Sequence, residues 1–278
     1  MRTVLINSTH LVPGTNNSRF RAELPPSVGA FKDQQVALKS LSMYYSWSNI
    51  TAAQNNHSLS YIWPTATGTT TIDLTIPDGS YSVKDLNSYM QSQMVANGHY
   101  LVDETGNHVY YLELVTNPTY YAVQVNCFAL PTSLPSDYTN PGSMSFPAET
   151  HTPQLVVPAT NMRDVLGFSA GTYPIVQQTG DYSAYSSTCP QVSPTQSIIV
   201  TSNLISTGLT NPSNILYSFS PAGVEFGSII ESKPSSPMWL DVTNGFYQAV
   251  EIQLYNQDFT PLVVQDPNLV IILGIQDK

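Results

Sequence analysis

Residues 245–275 read GFYQAVEIQLYNQDFTPLVVQDPNLVIILGI. Val250, Ile252 and Leu254 alternate with Glu251, Gln253 and Tyr255. Successive side chains of an extended chain point to opposite faces, so this period of two marks a strand with one buried face. A polar turn, Asn256-Gln257-Asp258, leads on to the apolar run Leu269–Leu273. The stretch is therefore expected to be a strand, a turn and a final strand that close a β-sheet domain. Trp47, Val250, Ile252, Leu254, Leu269 and Ile271 are expected in or beside its core.

The same alternation recurs upstream. Thr3–Asn7 and Ser18–Leu24 look extended, the second ended by Pro25-Pro26. Gln35–Trp47 reads as a long strand with Ala37, Leu41, Met43, Tyr45 and Trp47 on one face. Leu59–Trp63 and Thr70–Ile76 are rich in β-branched residues and bounded by Pro64, Gly68 and Pro77. Val109–Val115 and Thr119–Ala129 form a hairpin turned at Asn117-Pro118, with Tyr121, Val123, Val125, Cys127 and Ala129 on one face. Further strands are expected at Ser197–Leu204, Ile215–Phe219, Gly227–Ser232 and Met238–Val242.

One helix signal interrupts the strands. Ser82 can cap a first turn whose third position is Asp85, a capping-box variant. Val83, Leu86, Met90 and Met94 then recur at helical spacing, and Gly98 stands where such a helix ends. From Pro131 to Pro194 prolines recur every few residues and the strand pattern fades. A structureless loop that long is unusual in a compact domain. Residues 131–195 are thus read as an elaborated insertion holding a short helix, Asn161–Leu166, capped by Thr160 or Asn161 and ended by Gly167. About ten strands with one or two short helices specify an all-β chain. A single jelly-roll β-sandwich over residues 1–278 fits the strand number and the long connections.

Composition narrows the function. Charged residues make up 10% of the 278, against about 25% in typical globular chains. With 21 Pro and 17 Tyr, the surface should be neutral, loop-rich and aromatic, a composition suited to burial against partners. The net charge is −10, and the nine basic residues are scattered. No basic stripe marks a nucleic-acid binder, and an acidic chain is repelled by anionic membrane. The N-terminus lacks the apolar core of about 7–15 residues that a signal peptide needs. No apolar run approaches the roughly 18 residues of a membrane span. Arg19 and Arg21, at alternate positions of one strand, read as an ordinary solvated face. Asn7, Asn16, Asn49 and Asn56 begin sequons, which mean little without a secretory signal.

Chemistry-bearing motifs are few. Gly167-Phe168-Ser169-Ala170-Gly171 matches GxSxG, the hydrolase elbow that needs a strand before its Ser and a helix after it. Here a short helix precedes Ser169, and Pro174 disfavours a helix beyond it. Ser169 is not expected to be catalytic. Cys127 and Cys189 form no CxxC and are read as reduced thiols, Cys127 buried on a strand. His10, His57, His99, His108 and His151 are dispersed in polar surroundings without ligand spacing. Residues 103–107, DETGN, read as a hairpin tip and not as a calcium loop. No catalytic residue, cofactor or metal site is expected. In the doublets Tyr44-Tyr45, Tyr110-Tyr111 and Tyr120-Tyr121, one ring should face the core and the other outward. Outward rings can bind sugar or a neighbouring subunit, but simple strand packing is the default reading.

Taken in order, the segments RFRAELP (19–25), VALKSLSMYYSWSNI (36–50), IPDGSYSVKDLNSYMQSQM (76–94), YYLELVTNPTYYAVQV (110–125), DVLGFSAGTYP (164–174), SIIVTSNL (197–204) and FTPLVVQDPNLVIILGI (259–275) form a series. The series resembles the penton, or minor capsid, proteins of virophages and Polinton-like viruses, over about residues 19–275. The resemblance implies a vertical single jelly roll that assembles as a homopentamer at the five-fold vertices of an icosahedral capsid. It implies contact with a double-jelly-roll major capsid protein, location in the virion, and neither enzyme activity nor a cofactor; some members also carry a projecting β segment, for which residues 131–195 are the first place and residues 50–79 the less favoured one. The alternative is a carbohydrate-binding β-sandwich that attaches to host-surface glycan through outward Tyr and Trp.

Overall fold

The computed structural model describes residues 2–192, 195–206, 208 and 212–278. Ser193 and Pro194, near the end of the expected insertion, lie outside them. The chain divides into two compact units. One comprises Met1–Trp47 and Thr195–Lys278, and the other Ser48–Pro194. In chain order, β1 (Arg2–Asn7), β2 (Arg19–Glu23) and β3 (Gln34–Tyr44) open the first unit. The second unit holds β4 (Ser58–Thr65), β5 (Gly68–Thr75), helix α1 (Val83–Ala96), β6 (Leu112–Asn117) and β7 (Ala122–Cys127). It continues through β8 (Gln154–Val157), α2 (Met162–Leu166), β9 (Gly171–Tyr173) and β10 (Tyr182–Tyr185). The first unit resumes with β11 (Ile198–Ser202), β12 (Ile215–Phe219), β13 (Ile229–Ser232), β14 (Ala249–Tyr255) and β15 (Leu269–Asp277).

The first unit's strands β1–β3 and β11–β15 all pair antiparallel, in two sheets. One runs β1-β15-β3-β13, and the two-residue strand Leu240–Asp241 also pairs with β3; the other runs β12-β11-β14-β2. Side chains from both sheets meet in one core: Ile6, Leu41, Ile271 and Leu273 from the first, and Phe20, Val200, Ile252 and Leu254 from the second. Along the chain the path alternates between the sheets, save at the β11–β12 hairpin and from β13 to Leu240–Asp241. Two sheets of four long strands, connected in this way, are a jelly roll. The all-β architecture with two helices is thus as expected. The two final strands, read as a closing pair, do not pair with each other. β14 lies beside β11 and β2, whereas β15 lies between β1 and β3.

Strict alternation fails on β3. Ile272 pairs with Ser40 and Leu273 with Leu38, so Lys39 is an extra residue on β3. A bulge of this kind flips the facing of everything before it. Val36 and Leu38 therefore join Leu41, Met43 and Trp47 in the core. Ala37, expected on that face, is buried outside this core cluster.

The second unit occupies the connection between β3 and β11. It takes in both stretches considered for a projecting segment and everything between them. Its sheets run β9-β8-β4-β5 and β10-β7-β6, with a small three-stranded sheet of Tyr138–Thr139, Leu101–Asp103 and His108–Val109. Helix α1 begins as its sequence specifies. The Ser82 hydroxyl accepts from Asp85 N at 3.2 Å, and the Asp85 carboxylate accepts from Ser82 N at 2.8 Å. Val83, Leu86, Met90 and Met94 are its buried face. It ends in a Schellman motif: Gly98 N donates to Val95 O, and His99 N donates to Met94 O. Gly98 sits at φ +70°, and a Cβ there would stand 2.3 Å from the Gly142 carbonyl oxygen. Asn87 Oδ1 of α1 accepts from Leu114 N at 2.8 Å, which occupies a donor on the open side of edge strand β6. Short helix α2 has Asn161 as its N-cap, whose side chain donates to Gln54 O at 2.7 Å and does not cap the helix, and it ends on Gly167 at φ +74°.

Candidate interaction surfaces

Trp47, Val250, Ile252, Leu254, Leu269 and Ile271 all lie buried in the core of the first unit. On the outer face of the same strands, Arg21 stands opposite Glu251 in register. Glu251 accepts from Arg19 at 2.6 Å and from Arg21 at 2.9 Å, and Arg21 also reaches Glu23 at 2.7 Å. The bond from Arg19 holds the Glu251 carboxyl below its usual range. The arginine pair is thus matched to carboxylates across the sheet, an arrangement that leaves little positive charge to attract phosphate.

The outer face of the other sheet is different. Leu5 pairs across strands with half-buried Ile272, and Ile229 pairs with Tyr44. Leu5, Val270 and Ile229 are exposed. A groove of about 270 Å³ lined by Asn7, Ser42, Tyr44, Ile229, Asn268 and Val270 crosses this face. These lining side chains carry no charge.

In the second unit, His99 does not lie in the polar surroundings expected of it. Its ring stacks on Trp63 at 4.4 Å and 6°, and its Nδ1 is 2.9 Å from the Tyr61 hydroxyl. Burial lowers its pKa to about 4 and pushes the Tyr61 hydroxyl upward. Among the described residues, His57 Nδ1 and His151 Nδ1 are also shielded from water and have no hydrogen-bond partner. No sequence signal joins Trp63 to His99, because the pairing is made by the fold. Among the described residues, no three His, Cys, Asp or Glu side chains converge as metal ligands would.

Ser169 is exposed, between α2 and β9. Its order of elements is helix, turn, strand, the reverse of a nucleophile elbow. Its carbonyl accepts from the Tyr173 hydroxyl at 3.0 Å. Cys127 is buried and Cys189 exposed, both as free thiols. Burial pushes the Cys127 thiol up to about 12, which keeps it protonated and unreactive near neutral pH. Asn49 and Asn56 are buried and tie down backbone: Asn49 bonds Tyr81 N and O, and Asn56 bonds Thr51 N and Asn49 O. Two of the sequons are therefore structural. At residues 103–107, Asp103 Oδ1 accepts from Thr105 N and Asn107 N, each at 2.9 Å, which makes this a hairpin tip.

The tyrosine doublets divide. Tyr111 is buried and Tyr110 half-buried, as alternation requires, but Tyr44 and Tyr45 are both half-buried. Tyr120 and Tyr121 are both exposed, at 65% and 78%. They sit in the turn between β6 and β7, where Tyr121 adopts φ +49°, so strand alternation does not apply to them. Among the described residues, no helix is long and apolar enough to cross a membrane.

No family model matches this chain, and no curated protein matches it. Among solved structures it is similar to the penton protein of mavirus, in a selenomethionine-labelled crystal, with a TM-score of 0.43 and 11% identity over 99% of this chain and 98% of that one.

Proposed function

We propose that this chain is a structural virion protein, a penton that forms homopentamers at capsid vertices and contacts a double-jelly-roll major capsid protein. The observation that carries the reading is the strand order β1-β15-β3-β13 facing β12-β11-β14-β2. This jelly roll is an architecture common in viral capsids, and here it comes with the ordered series of penton-like sequence segments. Jelly rolls also occur in lectins and other binding proteins, so the series is what selects the capsid role. A ring of identical subunits joins one face of each copy to a different face of the next. The outer face around Leu5, Val270 and Ile229, uncharged along its groove and bordered by Glu231, is a surface of the kind such a contact buries. The reading includes no enzyme activity and no cofactor, with the virion as the site of action. Co-expression with the major capsid protein tests it. Five-fold density at the vertices, absent when this chain is omitted, is the expected result. Complete particles that exclude the chain would refute the reading.

A further inference from the structure

The sheet β10-β7-β6 buries Leu112, Leu114, Val123 and Val125 on one face. Its other face carries a hydrogen-bonded ladder. Asn117 Nδ2 donates to Gln124 Oε1 at 3.1 Å, Gln124 Nε2 to Asn126 Oδ1 at 2.7 Å, and Asn126 Nδ2 to Glu113 Oε1 at 2.8 Å. Asn126 is buried, and its Oδ1 also accepts from Ser183 Oγ at 2.7 Å. The amides of Asn117 and Gln124 are fixed in orientation by the ladder, while each keeps a second N–H for other bonds. Tyr185 lies directly across from Gln124 in register. The Tyr185 ring sits beside that of Tyr120, with centroids 5.0 Å apart, and both residues are at least half exposed. The turn places Tyr120 there at the expense of a left-handed backbone at Tyr121, a conformation that bulky residues seldom adopt.

We infer that this face is a binding site for neutral saccharides. A pyranose has an apolar C–H face, which a tyrosine ring covers, and a rim of hydroxyls that both donate and accept. The paired rings of Tyr120 and Tyr185 supply the first surface, and the ladder of Asn117, Gln124 and Glu113 supplies fixed partners for the second. Preorganised partners of this kind cost little ordering on binding. The one charged side chain among these residues is Glu113, on a chain of net charge −10. Sulfated or sialylated glycans and nucleic acids are accordingly disfavoured. The inference concerns the isolated chain and does not depend on pentamer formation.

The test is a glycan array probed with the intact protein, followed by calorimetry with the best neutral oligosaccharide. Heparin serves as the anionic comparison. Retention of a neutral glycan is expected, with affinity lowered roughly tenfold by Tyr185→Ala or Tyr120→Ala. Gln124→Ala should weaken it as well. The melting temperatures of the tyrosine variants should stay unchanged, because both side chains are exposed. Absence of any neutral ligand, preference for heparin, or native affinity in both tyrosine variants would overturn the inference.

Discussion

The two units of this chain are sealed by different means. The first is a sandwich whose core is almost wholly aliphatic, with Phe20, Phe31 and Trp47 as its buried aromatic residues. The second packs a capped helix with buried methionines, four buried aromatic residues (Tyr61, Trp63, Tyr111 and Phe168) and the histidine stacked on Trp63. Alternating aliphatics tolerate acid, since they hold no titrating group. A histidine kept neutral by burial does not, since its protonation must be resisted by the fold. The units should therefore differ in how they fail, and each of the following experiments breaks or sharpens that contrast.

The largest effect is expected for Ile252→Ala, in the middle of β14. Removing a fully buried aliphatic should cost about 2–5 kcal/mol. Hydrogen exchange should show the loss across β2, β11 and β14, while α1 keeps its protection. Equal loss in both units would dissolve the contrast. Gly98→Ala should rank next, in the second unit. It forces an alanine to φ +70° with its Cβ against the Gly142 carbonyl, and strain of this type costs about 1–3 kcal/mol. The reverse exchange pattern is expected, with α1 losing protection first.

Acid comes third. His99 titrates near 4 in the folded chain and near its ordinary 6.5 when unfolded. Between those values the unfolded chain binds the extra proton. Stability is thus complete above about pH 6.5 and falls as pH drops towards 4. After discounting for partial exposure, the loss is about 1–2 kcal/mol. The variant His99→Phe keeps a ring on Trp63 but cannot titrate, so stability should vary less over that window. An unchanged slope would show that His99 is not responsible. Glu251 behaves differently: its lowered pKa supports the first unit until pH falls below the ordinary carboxylate range. The smallest effect should be Ser82→Ala, about 1 kcal/mol for a lost N-cap, seen as fraying at the start of α1.

What the sequence shows directly is whatever depends on near neighbours. The alternation Val250-Ile252-Leu254 finds β14, and Ser82 with Asp85 and Gly98 finds both ends of α1. The all-β class follows from the number of such segments. What it conceals depends on partners distant along the chain. The bulge at Lys39 exists because β15 pairs with β3 on both sides of it, so Val36 and Leu38 could not be assigned to the core by counting twos. β14 and β15 lie next to each other in sequence but in different sheets, which only the complete strand order reveals. The stacking of His99 on Trp63 and the outward placement of both Tyr120 and Tyr121 are likewise set by folding, through a sheet contact and a turn. The extent of the second unit was obscured because β4 to β7 read as more strands of the same sandwich.

The role proposed for the jelly roll is assembly into a capsid vertex. Its most direct test is the mass of the purified native protein by light scattering, with class averages of the same sample. A mass near five times 30.4 kDa and five-fold averages are expected. A chain that remains monomeric, both alone and when mixed with the major capsid protein, would contradict it.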